Sequence, residues 1–225
     1  ALQEYNTKEK PNDAANHALY FEKKYPHAFF SKDYQTSDPN YFAGCIIYSK
    51  YPIIDSKRIA FLNGESLIYA TILKGDDTIR VYTTHLASYR FKQNDFEFHE
   101  TPSNDLEVKA NRSVLRKMKQ AFVERAVQAE IVRAALDQSP YPTIITGDFN
   151  DVPSSYTYKT IKGNLQDAFL KKGFGIGLTF MGLSPTLRID YILADNRWEV
   201  KGWESVDENL SDHHMVFSDL LLKKN

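Results

Sequence analysis

The chain has 225 residues, of which 42% are hydrophobic and 25% are charged. This composition is ordinary for a globular domain and excludes a disordered, collagenous or fibrous chain. The 28 Lys and Arg residues and 29 Asp and Glu residues give a formal net charge of -1, so no overall basic field attracts nucleic acid. The single cysteine, Cys45, excludes an intramolecular disulfide framework and a cysteine-based zinc cluster.

The hydrophobic pattern predicts α/β structure in which strands dominate. The predicted helices are residues 13–25 and the long stretch 105–137, where apolar residues recur at spacings of three, four and seven. Gly75-Asp76-Asp77 predicts a hairpin turn between two of the strands. The predicted strands are Cys45–Ser49, Ser66–Leu73, Thr78–Thr84, Thr143–Thr146, Arg188–Leu193 and Met215–Leu222. No apolar run is long enough to span a bilayer.

Polar clusters follow the strand patterns and contain the candidate catalytic residues. Asp190 stands out because it lies inside an apolar strand pattern, where an unpaired buried carboxylate costs free energy. We therefore expect Asp190 to have a partner, for which a histidine is the natural choice. The other clusters are Gln3-Glu4, Thr84-His85-Leu86, Gly147-Asp148-Phe149-Asn150-Asp151 and Ser211-Asp212-His213-His214.

These residue types suit metal-assisted hydrolysis of a phosphate ester. Glu4 and Asp212 offer the hard oxygen ligands that Mg²⁺ prefers, with Mn²⁺ as the alternative. His213 paired with Asp190 would be a general base held in one tautomer. Asp148 would orient a water molecule.

Two further side chains, those of Asn150 and His85, would donate hydrogen bonds to a charged oxygen. Acyl transfer is less well supported, because the sequence has no Gly-x-Ser-x-Gly motif and no serine placed beside a histidine–carboxylate pair.

At these motifs the chain resembles the endonuclease/exonuclease/phosphatase superfamily of metal-dependent phosphoesterases. The resemblance implies a four-layer α/β sandwich, in which two packed mixed β-sheets are flanked by helices and the site lies at one end. It also implies that Asn150 and His85 stabilise the five-coordinate phosphorus. The matching segments, in the family's order, are Leu2-Gln3-Glu4, Thr84-His85-Leu86, Gly147-Asp148-Phe149-Asn150, Arg188-Ile189-Asp190-Tyr191-Ile192 and Ser211-Asp212-His213.

The resemblance further implies the metal ligands and the proton acceptor. Glu4 would be the principal Mg²⁺ ligand, with Asp212 near the metal. Asp148 would align or activate the attacking water, and His213, oriented by Asp190, would be the general base. Whether Asp148 or His213 accepts the proton stays open, because the two titrations can be coupled.

The beginning of the chain departs from the family pattern. Members begin with a strand that bears an asparagine near the metal, then a helix, then the strand that ends in Gln-Glu. We therefore expect residues 1–225 to be one domain of this family that is truncated at its N-terminus by roughly 20–30 residues.

Several readings of the function stay open at the level of sequence. Within the enzyme class, a nuclease, a sphingomyelinase-like lipid phosphodiesterase and a phosphatase compete, and the balanced charge does not favour the nuclease. The aromatic-rich segment 87–104 is a candidate recognition insert. A non-catalytic binding module on the same scaffold is the alternative of another class. We expect a monomer, and the compartment stays open between cytoplasmic and membrane-anchored or exported.

Overall fold

Strands outnumber helices in the computed structural model, which describes residues 1–9, 16–89, 105–181, 187–209 and 211–224, without the side chains of residues 105–111. The strands are β1 (Leu2–Lys8), β2 (His27–Phe30), β3 (Tyr34–Gln35), β4 (Tyr41–Ser49), β5 (Ile53–Ala60), β6 (Ser66–Lys74), β7 (Asp77–His85), β8 (Thr143–Asp148), β9 (Gln166–Asp167), β10 (Asp190–Ala194), β11 (Trp198–Val206) and β12 (Met215–Leu222). The helices are α1 (Ala18–Glu22), α2 (Asp105–Asp137), α3 (Tyr156–Lys162) and α4 (Ala168–Lys172). In these ranges no helix has the length and apolar character needed to cross a membrane.

A six-stranded mixed sheet brings three of the candidate residues side by side. Its strand order is β5-β6-β7-β8-β10-β9, with β7 and β8 parallel and β10 antiparallel to β8. The ends of β7 and β8 therefore meet at the edge where β10 begins. In this register His85 pairs with Asp148, and Asp148 pairs with Asp190.

Gly147 allows the close approach of β7 and β8 just before Asp148. Its φ is +154°, and a Cβ at this position would lie 2.2 Å from the carbonyl oxygen of Thr84. Any larger residue would push the two strands apart at the point where His85 and Asp148 are paired.

A second sheet packs on one face of the six-stranded sheet and α2 packs on the other. The second sheet has the order β1-β4-β2, with β3 also paired to β4, and its described pairs are all antiparallel. Between the sheets, Cys45 and Ile47 of β4 contact Ile68 and Ala70 of β6. The α/β class with packed sheets and flanking helices is thus confirmed, and of the described sheets only the six-stranded one is mixed.

The long helix α2 has the predicted bounds. Strand β4 begins at Tyr41 and not at Cys45, β8 extends to Asp148, and two further elements are shorter than predicted. Within the described residues the first helix is only Ala18–Glu22, and none of its side chains is fully buried. The strand predicted from Arg188 begins at Asp190, because the backbone N–H groups of Ile189 and Asp190 donate to Thr179 Oγ1. Residues 10–15, and 90–104 of the predicted recognition insert, lie outside the described residues.

Candidate active site

A cleft of about 520 Å³ opens at the edge of the six-stranded sheet where β8 ends and β10 begins. It is bounded by β1 on one side and by the start of β12 on the other. The lining residues with polar or ionisable side chains are Gln3, Glu4, Thr146, Asp148, Asp190, Tyr191, Ser211, Asp212, His213 and His214.

Asp148, Asp190 and His213 form the centre of this site. Each of the three offers a ligand atom, and these atoms lie within 4.8 Å of one another. His213 Nδ1 is 3.0 Å from Asp190 Oδ2, which is the histidine–carboxylate pair expected from the sequence. His213 Nε2 faces Asp148 Oδ2 at 3.9 Å, beyond direct hydrogen-bond distance.

The electrostatics of this cluster favour a bound proton. Burial, and then the nearby Asp190 carboxylate, raise the pKa of Asp148 above the ordinary range of an aspartate. Burial alone would lower the pKa of His213, but the hydrogen bond and charge of Asp190, followed by the charges of Asp148 and Asp212, raise it to about 9. The metal-free site therefore holds the His213 ring protonated at neutral pH.

We expect Asp190→Asn to lower the pKa of His213 from about 9 toward the ordinary histidine value of about 6.5. The reason is that an amide keeps a hydrogen-bonding oxygen beside Nδ1 but carries no charge. The measurement is an NMR titration of the His213 ring in metal-free protein, with His27 as the internal reference. A His213 pKa that stays near 9 would show that Asp190 does not hold the proton on this ring.

His85 and Asn150 are also brought together, where β7 and β8 end. Asn150 Nδ2 donates to Leu86 O at 2.9 Å and Asp148 Oδ2 at 3.1 Å, and it lies 3.0 Å from His85 Nε2. The two hydrogens of this amide nitrogen are directed at Leu86 O and Asp148 Oδ2, so the contact with His85 Nε2 does not fix which ring nitrogen carries the proton. For His85 to donate from Nε2 to a substrate oxygen, as the sequence predicts, Nε2 must carry a proton and Asn150 Nδ2 must move away from it.

Glu65 is a part of the site that sequence reasoning missed. Its Oε1 lies 3.8 Å from His85 Nδ1, and its other carboxylate oxygen accepts from Asn63 Nδ2 at 2.9 Å. Glu65 is only 8% exposed, so a second buried carboxylate–histidine pair flanks the site. The sequence signal was an acidic residue directly before the apolar strand β6.

The predicted metal ligands Glu4 and Asp212 line the same cleft but lie outside the tight cluster of three. Glu4 was expected directly after a strand, but it lies within β1, at a bulge where its φ is +49°. Its exposed carboxylate is 3.6 Å from His85 Nε2. Asp212 is exposed, and its carbonyl oxygen accepts from the backbone N–H of Met181. Their role as metal ligands stays a prediction.

Arg125 of α2, also missed from the sequence, connects the segment after β7, which follows His85, to the segment after β8, which carries Asn150. The Arg125 side chain is fully buried, its Nε donates to Asp151 Oδ2 at 3.1 Å, and its Nη1 donates to Ala87 O at 2.8 Å. Gln128, also on α2, accepts from the N–H of Ala87 at 2.9 Å. The signal was available: Arg125 and Gln128 continue the core-facing positions of the helix, where apolar residues are expected.

Thr179 and Phe180 contact the two members of the His213–Asp190 pair and hold them in position. Thr179 is fully buried and its Oγ1 accepts from the backbone N–H of Asp190 at 3.1 Å. The Phe180 ring lies 4.7 Å from the His213 ring, and the two backbones form a β-bridge. Segment 178–181 thus fixes both members of the pair.

The comparison of the sequence with protein-family models classifies the chain in agreement with this geometry. The model described as the endonuclease/exonuclease/phosphatase family matches residues 1–213. The chain belongs to this family. Members of the family are phosphoesterase hydrolases that generally require a divalent metal, which agrees with the acidic and histidine-containing site described above. No curated protein matches the chain.

Solved structures show the same fold at low sequence identity. The endonuclease/exonuclease/phosphatase from Beutenbergia cavernae DSM 12333 has a TM-score of 0.62 and 20% identity, over 98% of this chain and 61% of that chain. This chain therefore spans less than two thirds of the length of that protein. A humanized D. rerio TDP2 has a TM-score of 0.63 and 15% identity, over 98% of this chain and 84% of that chain. The mannosyl-6-phosphatase of Bacteroides thetaiotaomicron VPI-5482 has a TM-score of 0.54 and 18% identity, over 89% of this chain and 79% of that chain.

Proposed function

We propose that the protein is a Mg²⁺-dependent phosphoesterase that hydrolyses a phosphate ester by direct attack of water, with no covalent enzyme intermediate. The observation that carries this proposal is the charge of the cleft. Its described lining contains four carboxylates, those of Glu4, Asp148, Asp190 and Asp212, and no Lys or Arg. A phosphate ester is an anion, so such a cleft repels it until a cation offsets the carboxylates.

The donor set fits a hard divalent cation. Carboxylate oxygens are the ligands that Mg²⁺ prefers, and Mn²⁺ accepts the same set. Glu4 and Asp212 are the residues that would hold it, and both line the cleft. When bound, the cation would offset the negative charge on the phosphoryl oxygens and so favour attack on phosphorus.

The chain's own residues would handle the water and its proton. His213 Nε2 and Asp148 Oδ2 lie 3.9 Å apart, so an attacking water in the cleft would be within reach of both atoms. Asp190 holds the His213 ring through Nδ1, which leaves Nε2 directed at that water. Asp148 and His213 are the two candidate proton acceptors, and His213 would accept only after the ring has lost the proton that it holds in the metal-free site. Asn150 and His85 would bind the oxygens on which negative charge develops.

The test is hydrolysis of bis-p-nitrophenyl phosphate with Mg²⁺ and after removal of metal by a chelator. We expect turnover that is lost with the chelator and restored by added Mg²⁺, and calorimetry of the metal-free protein should show Mg²⁺ binding that Glu4→Gln weakens. Met215→Leu is the calorimetric control, because Met215 lines the cleft and its side chain carries no charge. Absence of both turnover and metal binding would favour a non-catalytic binding module.

The natural substrate is addressed by a panel of DNA, sphingomyelin, inositol phosphates and nucleotides. The balanced net charge does not favour DNA, because non-specific DNA affinity depends on released counterions.

A further inference from the structure

Loop Gly173–Gly177 presents two bare apolar side chains to solvent. Phe174 is 99% exposed and Ile176 is 64% exposed, and Leu170 in the preceding helix α4 is 62% exposed. Full exposure of a phenylalanine forgoes the burial free energy that such a side chain gains in a protein core. We call Phe174, Gly175 and Ile176 the apolar tip.

The glycines on either side show that the tip is a built feature of the fold. A Cβ at Gly173 would lie 2.1 Å from Phe169 Cδ2, and one at Gly177 would lie 2.7 Å from Phe169 Cε2. Both ends of the loop are therefore pressed against one ring. That ring is itself held by Trp203, at 4.9 Å between centroids, and by the Arg188 guanidinium, at 4.6 Å. The base is thus fixed, and only the tip projects.

The charges around the tip are positive. Lys171 and Lys172 form the exposed last turn of α4, directly before the loop. Between residues 166 and 181 the one acidic residue is Asp167, which is buried and paired with Arg188 at 2.7 Å. On the neighbouring strand β11, Glu199 is paired with Lys201 and lies close enough to Lys172 to interact with its charge, and Glu204 is exposed. The positive charge directly beside the apolar tip is therefore that of Lys171 and Lys172.

We infer that the apolar tip inserts into an anionic lipid surface while Lys171 and Lys172 contact the lipid headgroups. An apolar end with a cationic base matches the layers of such a surface, where apolar area and attraction to anionic lipid act together. A protein partner would require a matched surface on the order of 800 Å² on each side, whereas the tip is a narrow projection of two side chains. A bilayer accepts such a projection without a preformed pocket.

The loop leads directly into the candidate site. Leu178 follows the loop, and the next two residues are Thr179 and Phe180, which hold Asp190 and His213. A lipid surface held by the tip would thus be reached from the same segment that supports the site. This surface-binding inference goes beyond the proposed function and does not depend on it.

The test is co-sedimentation of the whole chain with vesicles, in which phosphatidylcholine alone is compared with phosphatidylcholine containing phosphatidylglycerol. We expect binding to the anionic vesicles, and Phe174→Ser/Ile176→Ser should lower the partition coefficient by at least about tenfold, since two apolar side chains no longer enter the bilayer. Lys171→Gln/Lys172→Gln should lower binding to anionic vesicles while leaving any binding to neutral vesicles unchanged. A Phe174→Trp variant should show a blue-shifted emission when anionic vesicles are added.

The matched control is Tyr20→Ser/Ile54→Ser, which removes two apolar side chains that are 73% and 54% exposed. Ile54 lies on β5, which is one edge of the six-stranded sheet. The other edge is β9, which directly precedes α4 and the apolar tip. Two results would overturn the inference: wild-type protein that fails to bind anionic vesicles, as expected if the tip serves a protein partner, or a tip variant that binds as wild type does. Phosphoesterase activity on a water-soluble diester reports separately on the proposed function.

Discussion

Asp148→Asn should lower the rate of bis-p-nitrophenyl phosphate hydrolysis by at least about 10²-fold, the effect of losing a group that handles the proton. The substitution keeps the shape of the side chain but removes the charge that faces His213 Nε2, where the attacking water is proposed to bind. His213→Ala should give a loss of the same order, because the two residues act on one water molecule. Initial rates at saturating Mg²⁺ measure both variants.

The same substitution should leave the fold intact. The pKa of Asp148 is raised in the folded state by burial and by Asp190, so the ionised carboxylate opposes folding at neutral pH. An uncharged amide removes that cost but accepts from only one of the two Asn150 donors, so urea denaturation should show a free energy of unfolding close to that of the wild type. Asp76→Asn, the same change in the exposed turn between β6 and β7, is the control for activity. Turnover that survives Asp148→Asn in a folded protein would refute the role proposed for this carboxylate.

Arg125→Met should lower the free energy of unfolding by about 3–5 kcal/mol, the cost of leaving a buried charge without its partner. The stranded group is Asp151, which is 4% exposed and would keep only Thr157 Oγ1 and the N–H of Val152 as donors. The carbonyl oxygen of Ala87 would also lose the donor Arg125 Nη1. Urea denaturation followed by circular dichroism measures the change.

A second substitution separates the lost ion pair from lost packing. Arg125→Met/Asp151→Asn should recover part of the stability, since an amide is less costly to bury than an unpaired carboxylate. Arg116→Met, at an exposed position of the same helix, should stay within about 0.5 kcal/mol of wild type. A double variant that is no more stable than Arg125→Met would show that the arginine acts through packing and not through its charge.

The elements predicted correctly are those whose residues have one dominant periodicity. Helix α2 matches its predicted bounds because apolar residues recur along its core-facing side, and β6 and β7 match because both are apolar and joined by a Gly-Asp turn. Strands such as β5 and β11 were not predicted, since each exposes several side chains and β5 carries Asp55, Lys57 and Arg58. These strands form because a neighbour supplies hydrogen bonds, and a single segment does not show its neighbour.

The contacts of the candidate site likewise divide into those that the sequence predicts and those that it does not. The pairing of His213 with Asp190 was predictable, because a carboxylate at the start of an apolar strand needs a partner. The contact between Glu65 and His85 was not predicted, since it joins the start of β6 to the end of β7 through a sheet register that the sequence does not state. The contact between Asn150 Nδ2 and His85 Nε2 likewise joins residues that are 65 positions apart, at the ends of two neighbouring strands.

The register that sets His85 beside Asp148 and Asp148 beside Asp190 also makes the site a reporter of folding. A slip of one residue in either pairing would turn these side chains to the opposite face of the sheet. The pairing of β7 with β8 is parallel and spans the whole of α2, so it closes a long loop and belongs to the slow class of contacts. Recovery of hydrolytic activity during refolding should therefore follow the assembly of the central sheet, and not the earlier formation of the helix.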